Sequence, residues 1–311
     1  MPVARTRFGQ SLQLRIKAVT DRALGAAVVA LLRWVRLYNV DMMARLFGWV
    51  MGHVGPLLHE HRTGRANLTA AFPEKSADEI ERILRGVWQN LGYFGAEFAN
   101  LDQLWDFDPA HPMAGRVVSD MASFDRFVRL REDGKGALIF CAHLGNWEMS
   151  ALAFPKFGID NSAIVFRPPN NQAVADAVQR LRMVNMGTIV PTRLDTPLRL
   201  GRMLQEGAHV GMLVDQHYSP GVEVTFFGRK TQCNPLLARL ARQVEVPIHG
   251  ARIIRLPNHR FRSEFSDEIP PVRDAHGRID VQGTMQAITD VIEGWIREYP
   301  EQWLWLHRRW R

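Results

Sequence analysis

The chain has 311 residues, of which 46% are hydrophobic and 23% charged, which excludes a disordered chain and leaves room for a substantial core. Its net charge of +7 suits an anionic partner, whether phospholipid head groups, a phosphorylated glycolipid, an acidic carrier protein or nucleic acid. The charge is scattered and no nucleic-acid motif accompanies it, so no nucleic-acid partner is expected. Two cysteines, Cys141 and Cys233, lie far apart, which excludes a disulfide framework and reads as two inert packing thiols in a reducing compartment.

The run Ala23 to Leu32 is wholly apolar and follows Arg5, Arg7, Arg15, Lys17 and Arg22. It imitates a signal peptide without a convincing cleavage site, and it is short of the roughly 20 apolar residues a spanning helix needs. A second apolar stretch runs from Met42 to Leu58, and Trp34 and Trp49 stand where interfacial anchors would. Residues 12–58 therefore read as one or two helices in the membrane interface. A tilted single span and two ordinary helices packed on the domain are the alternatives.

Residues 61–104 read as helical. Ile80, Ile83, Leu84, Val87, Leu91 and Phe94 recur at helical spacing between Ala77 and Phe98, with Ser76 and Glu79 as a capping box. A connector over 105–115 follows. Short apolar runs then alternate with helical ones. Strands are expected at Val117–Val118, Ala137 to Cys141, Ala163 to Phe166, Thr188 to Val190 and Val210 to Val214. Between them lie helices to about Arg131, over Trp147 to Phe154, over Gln172 to Met186 and over Pro197 to Glu206 with Thr196 as N-cap. A strand pair, Ile248 to Leu256 and Arg260 to Phe265, and a helix from about Gln282 to Tyr299 precede a tail rich in Trp and Arg. The alternation predicts an α/β layer with a largely parallel sheet.

The segment Cys141-Ala-His143-Leu-Gly145-Asn146-Trp147-Glu148 carries the sharpest chemistry. His143 falls just past a strand end, where α/β folds place their sites. Gly145 permits a tight turn, Asn146 can cap the next helix, and Glu148 lies in its first turn. A carboxylate on one imidazole nitrogen fixes the tautomer, and the other nitrogen can then act as general base toward a hydroxyl. A structural histidine remains the alternative on these residues alone. Arg167, in Phe-Arg-Pro-Pro at a strand end, can bind a phosphate or a developing oxyanion, or be a surface arginine. Arg180 and Arg182 extend that anion site or form a solvated face. Asp215 and Gln216 end a strand and either position the site and its acceptor or cap a turn. The terminal Trp303, Trp305 and Trp310, with His307, Arg308 and Arg309, suit a membrane interface or a core-packed end. No G-x-S-x-G, G-x-G-x-x-G, Walker A, H-E-x-x-H or C-x-x-C motif is present.

His143 to Glu148 resembles the H-x4-D/E block of the lysophospholipid acyltransferase superfamily. Arg65-Ala-Asn67-Leu68 with Phe72-Pro73, Val214-Asp215-Gln216 with Phe226-Phe227-Gly228, and Pro300 to Arg309 resemble, in order, segments of the bacterial lipid A late acyltransferases, the lauroyl and myristoyl transferases. The chain departs from that pattern at Gln232-Cys233-Asn234-Pro235, where Thr-x-x-Gly-Pro is usual.

The resemblance implies a glycerolipid-acyltransferase-like α/β domain over 61–311, with a mixed, largely parallel sheet flanked by helices. A membrane-associated helical region over 1–60 precedes it. It implies O-acyl transfer from acyl carrier protein, or acyl-CoA, to a hydroxyl of an acylated lipid A precursor, with His143 as base and Glu148 orienting it. Asn146, Arg167, Asp215 and Gln216 would bind substrate. No cofactor or metal is implied, and the site would face the cytoplasm at the inner membrane. A phosphatidylinositol mannoside acceptor, or lipid binding without catalysis, is the rival reading.

Overall fold

A computed structural model describes residues 3–169 and 171–310. Helix α1 (Val3–Val35) is followed by α2 (Val40–Val54), which Asn39 caps by accepting from the Asp41 and Met42 N–H groups. A 3-10 turn (Gly55–Leu57) leads to α3 (His59–Ala71) and α4 (Ala77–Phe98). The expected capping box is present on α4: Ser76 accepts from the Glu79 N–H, and Glu79 accepts from the Ser76 N–H.

Strand and helix then alternate through β1 (Val117–Val118), α5 (Met121–Glu132), β2 (Ala137–Cys141), α6 (Glu148–Lys156), β3 (Ser162–Phe166), α7 (Gln172–Asn185), β4 (Thr188–Pro191), α8 (Thr196–Gln205) and β5 (His209–Leu213). A hairpin of β6 (Val222–Phe226) and β7 (Arg229–Cys233), then α9 (Leu236–Val244), β8 (Ile248–Leu256), β9 (Arg260–Glu268) and α10 (Val281–Glu298) complete the chain.

Seven strands form one sheet in the order β1-β9-β8-β2-β5-β3-β4, parallel throughout except for β8 against β9. The central strands are buried on both faces, as their uninterrupted apolar runs require. Leu138 and Phe140 of β2 point into one core with Leu237, Leu240 and Ile292 of α9 and α10. Ala137 and Ile139 point the other way, toward Phe127 of α5 and Phe154 of α6. Gly250 on β8 leaves room for Trp295, which stacks on Phe140 at 5.5 Å; a Cβ there would stand 2.8 Å from both rings.

The β6–β7 hairpin and α9 are elements the periodicity did not separate from loop. Thr196 is not the cap of α8 either. Asp195 holds that position, and the Thr196 hydroxyl accepts from the Arg193 N–H and donates to the Pro191 carbonyl.

The C-terminal tail is core. Trp303, Trp305 and Arg309 are essentially inaccessible, so the membrane-interface reading of those tryptophans is corrected. Helix α2 has two apolar faces. Met43, Ala44 and Gly48 pack inward, and α2 lies along α4, where a Cβ on Gly92 would stand 2.3 Å from the Phe47 carbonyl oxygen. Met42, Leu46, Trp49 and Val50 face outward, joined by Leu24, Leu31 and Trp34 of α1 and by Leu37 and Leu57. No helix among the described residues is long and apolar enough to cross a membrane, so the spanning alternative has no support.

Because Phe140 is fully buried between α10 and the sheet, Phe140→Ala should destabilise the protein by about 3–5 kcal/mol, read from chemical denaturation.

Candidate active site

The register of two neighbouring strands places the central pair. Cys141 of β2 lies opposite Leu213 of β5, so His143 and Asp215 leave the same sheet edge side by side. His143 Nδ1 lies 2.8 Å from Asp215 Oδ1. The second carboxylate oxygen accepts from the His143 backbone N–H at 2.9 Å and from the Trp303 indole N–H at 2.7 Å.

The Asp215 side chain is wholly buried while the imidazole keeps 15% of its surface exposed. Burial alone would raise the carboxyl pKa, but the His143 charge and the three donors hold it well below the usual carboxylate range. An ionised Asp215 keeps the proton on Nδ1 and leaves the Nε2 lone pair free. Gln216 Nε2 lies 3.3 Å from it and donates to it.

Glu148 does not meet His143. It sits buried at the start of α6 and takes a bidentate ion pair from Arg182 of α7, whose Nε lies 2.8 Å from Oε2. The reason lies in Gly145. At φ +59° it turns the chain so tightly that a Cβ would stand 2.1 Å from the Ile253 carbonyl oxygen. The turn leaves His143 beside Asp215 just past the end of β5 and starts α6 with Glu148 paired to Arg182. Arg182 is thus a half-buried partner of Glu148, neither a solvated face nor a free anion ligand, and its guanidinium lies over the Phe166 ring at 5.3 Å. Arg167 and Arg180 are exposed, and neither is in an ion pair among the described residues.

Asn146 is not the helix cap. Trp147 takes that position, and the fully buried Asn146 donates from Nδ2 to Glu97 of α4 at 2.8 Å. Glu97 is itself buried in a bidentate pair with Arg255 of β8. Arg255 Nε donates to Asn90 Oδ1, and Asn90 Nδ2 donates to the carbonyls of Gly145 and Gln302. Gln302 exchanges two bonds with the Arg255 backbone, accepts from the Gly145 N–H through its own carbonyl, and lies next to Trp303. The turn from His143 to Trp147 is therefore clamped from α4, β8 and the C-terminal segment. Glu97 and Arg255 carry no motif of their own, and sequence reasoning missed them; it named Arg182 without its pairing to Glu148.

Beside His143 stands an aromatic wall. Trp147 meets the imidazole edge-on at 5.1 Å and stacks on Phe94 at 4.0 Å, with Phe98 adjoining at 5.8 Å. A cavity of about 360 Å³ lies elsewhere, between α5 and the middle of β8 and β9. Most of its charged lining is already engaged, Arg126 with Asp267, Arg252 with Glu264, and Asp120 as the cap of α5. Burial pushes the Cys141 thiol up to about 12 and the Cys233 thiol up to about 11, which makes both poor nucleophiles. Among the described residues no cluster of three or more His, Cys, Asp or Glu could hold a metal.

The α/β sheet thus presents a histidine–aspartate pair at one edge, beside an aromatic wall, the arrangement a general base needs. The chain belongs to the family described as bacterial lipid A biosynthesis acyltransferases, which it matches over residues 8–311. It is 25% identical, over 259 residues, to the lipid A biosynthesis lauroyltransferase of Escherichia coli (strain K12), a match covering 79% of this chain and 77% of that protein.

Two outcomes follow from this geometry. Glu97→Ala leaves Arg255 charged and buried without its partner, and should cost about 3–5 kcal/mol in urea denaturation. Burial lowers the His307 pKa to about 4, so the unfolded chain binds the extra proton between pH 6.5 and 4, and stability falls as pH drops through that window. Relative to His307→Gln, the wild type should lose about 2 kcal/mol between pH 7 and pH 5, by the same denaturation assay.

Proposed function

We propose that the protein is an O-acyltransferase that moves a fatty acyl chain from acyl carrier protein, or from acyl-CoA, to a hydroxyl of an acylated lipid A precursor. His143 Nε2 takes the proton of the acceptor hydroxyl. The oxygen attacks the thioester carbonyl, the new C–O bond forms, and the C–S bond breaks. The imidazolium returns its proton to the departing thiolate. Asp215 holds the tautomer and stabilises the imidazolium between these two transfers. Gln216 occupies the hydroxyl's approach to Nε2 and exchanges its bond for one to the substrate. Exposed Arg167 meets substrate phosphate or the carbonyl oxygen as it gains charge. Glu148 and Asn146 act at one remove: the first anchors α6 to α7, the second ties the turn to Glu97. The division of labour thus differs from the resemblance, which gives the orienting role to Glu148.

The observation that carries this reading is the 2.8 Å contact between His143 Nδ1 and the buried Asp215, which leaves Nε2 as the free base. The Trp147–Phe94 wall supports an acyl chain beside it. The outward apolar side chains of α1 and α2, with Arg22, Arg33 and Arg45 among them, support residence on an anionic membrane surface, in this reading the cytoplasmic face of the inner membrane. The donor and acceptor come from family membership together with the lauroyltransferase relative.

Purified protein assayed with an acyl thioester and a lipid A precursor tests the chemistry. His143→Ala should reduce turnover about 10²–10⁴-fold, the usual worth of a general base. Asp215→Asn should come close to it, because an amide can present its own N–H and reverse the tautomer. Glu148→Gln should lose far less turnover at equal folded fraction. Full turnover by His143→Ala would overturn the mechanism.

A further inference from the structure

Helices α8 and α9 differ in charge from every other α-helix among the described residues. Each carries two arginines, Arg199 and Arg202 on α8, Arg239 and Arg242 on α9, and neither carries an aspartate or glutamate. Every other α-helix contains at least one carboxylate. The four arginines are exposed, and among the described residues none is in an ion pair.

The packing brings them together. Leu200, Leu204, Leu237 and Leu240 bury the inner faces, and α8 lies against α9. A Cβ on Gly201 would stand 2.9 Å from the Gln243 side chain, so the two helices approach closely. Arginines three apart on one helix stand about 5–6 Å apart. Packed helix axes lie about 8–10 Å apart. Four unpaired cations thus lie on two adjoining helices, close enough for one partner to meet them together.

The patch leads to the catalytic edge. Helix α8 leaves the end of β4 through exposed Arg193 and Leu194, at the sheet edge from which His143 projects. Helix α9 follows directly on β7, whose Thr231 and Gln232 hold Arg309. Both helices run back along the sheet from there. Leu194 and Leu198 are largely exposed beside the arginines.

We propose that the α8–α9 face docks an acidic protein that carries the acyl chain as a thioester. This rests on the acyl-transfer reading. A carrier protein with an acidic face supplies counter-charges for these four unpaired arginines. A lipid surface fits less well. The exposed tryptophans suited to lipid insertion, Trp34 and Trp49, are on α1 and α2, whereas α8 and α9 have no aromatic residue.

The test uses the full chain and two charge-reversal variants, R199E/R202E and R239E/R242E, with two dodecanoyl donors: dodecanoyl acyl carrier protein and uncharged dodecanoyl-pantetheine. Each variant should lower the ratio of kcat/KM for the carrier donor to that for the pantetheine donor by tenfold or more. Wild-type affinity for the carrier, measured by fluorescence anisotropy of labelled carrier, should fall steeply with added salt, and the variants should lose that dependence. An unchanged ratio with unchanged anisotropy would overturn the proposal. So would variants that release anionic phosphatidylglycerol vesicles while keeping the carrier. Wild-type protein that binds the carrier yet transfers from neither donor would instead overturn the acyl-transfer reading and leave the docking surface standing.

Discussion

The site depends on one buried carboxylate. Asp215 loses all contact with water, a cost of several kcal/mol for an isolated ion, and recovers it from three donors, two on His143 and one on Trp303. Two come from His143, its ring and its backbone. The third is the indole of Trp303. One charge thereby sets the imidazole tautomer, the path of the backbone that carries it, and the seat of the C-terminal segment. Substituting the acid disturbs all three together, so its effect on rate cannot be apportioned to the ring alone.

A second buried ion pair underlies the first. Glu97 and Arg255 do not face the reacting atoms, yet through Asn146, Asn90 and Gln302 they fix both ends of the turn that begins at His143. Glu148 with Arg182 does the same for the helix that follows. The polar residues of the His143–Glu148 segment therefore divide: His143 is exposed to solvent at its ring, while Asn146 and Glu148 face inward to separate partners.

Much of this was legible in the sequence, and the boundary of legibility has a physical cause. Most local signals held, apart from the caps expected at Asn146 and Thr196. The Ser76–Glu79 box fixed the start of α4, Gly187 and Gly207 fell in the left-handed region just past α7 and α8, and the apolar runs found the parallel strands. Family resemblance marked His143 and Asp215 as functional. Their pairing was hidden because it depends on the register of β2 against β5, a tertiary fact with no local trace. The resemblance gave the orienting role to Glu148, and the turn at Gly145, which could have brought it to His143, instead leaves it facing Arg182. Trp303 and Trp305 misled in the same way: amphipathic aromatics near basic residues look alike at a lipid boundary and in a core.

Trp303 lies 88 positions beyond Asp215, and Asp215 lies 72 beyond His143. The acid's desolvation is met only when all three stretches of chain have come together, and closing such long loops is slow. During synthesis the sheet edge can form around β2 and β5 while its buried anion still lacks the indole. Maturation of the centre therefore waits on the Trp303 segment, and a chain cut before that residue would keep its histidine and lose the lock that holds it.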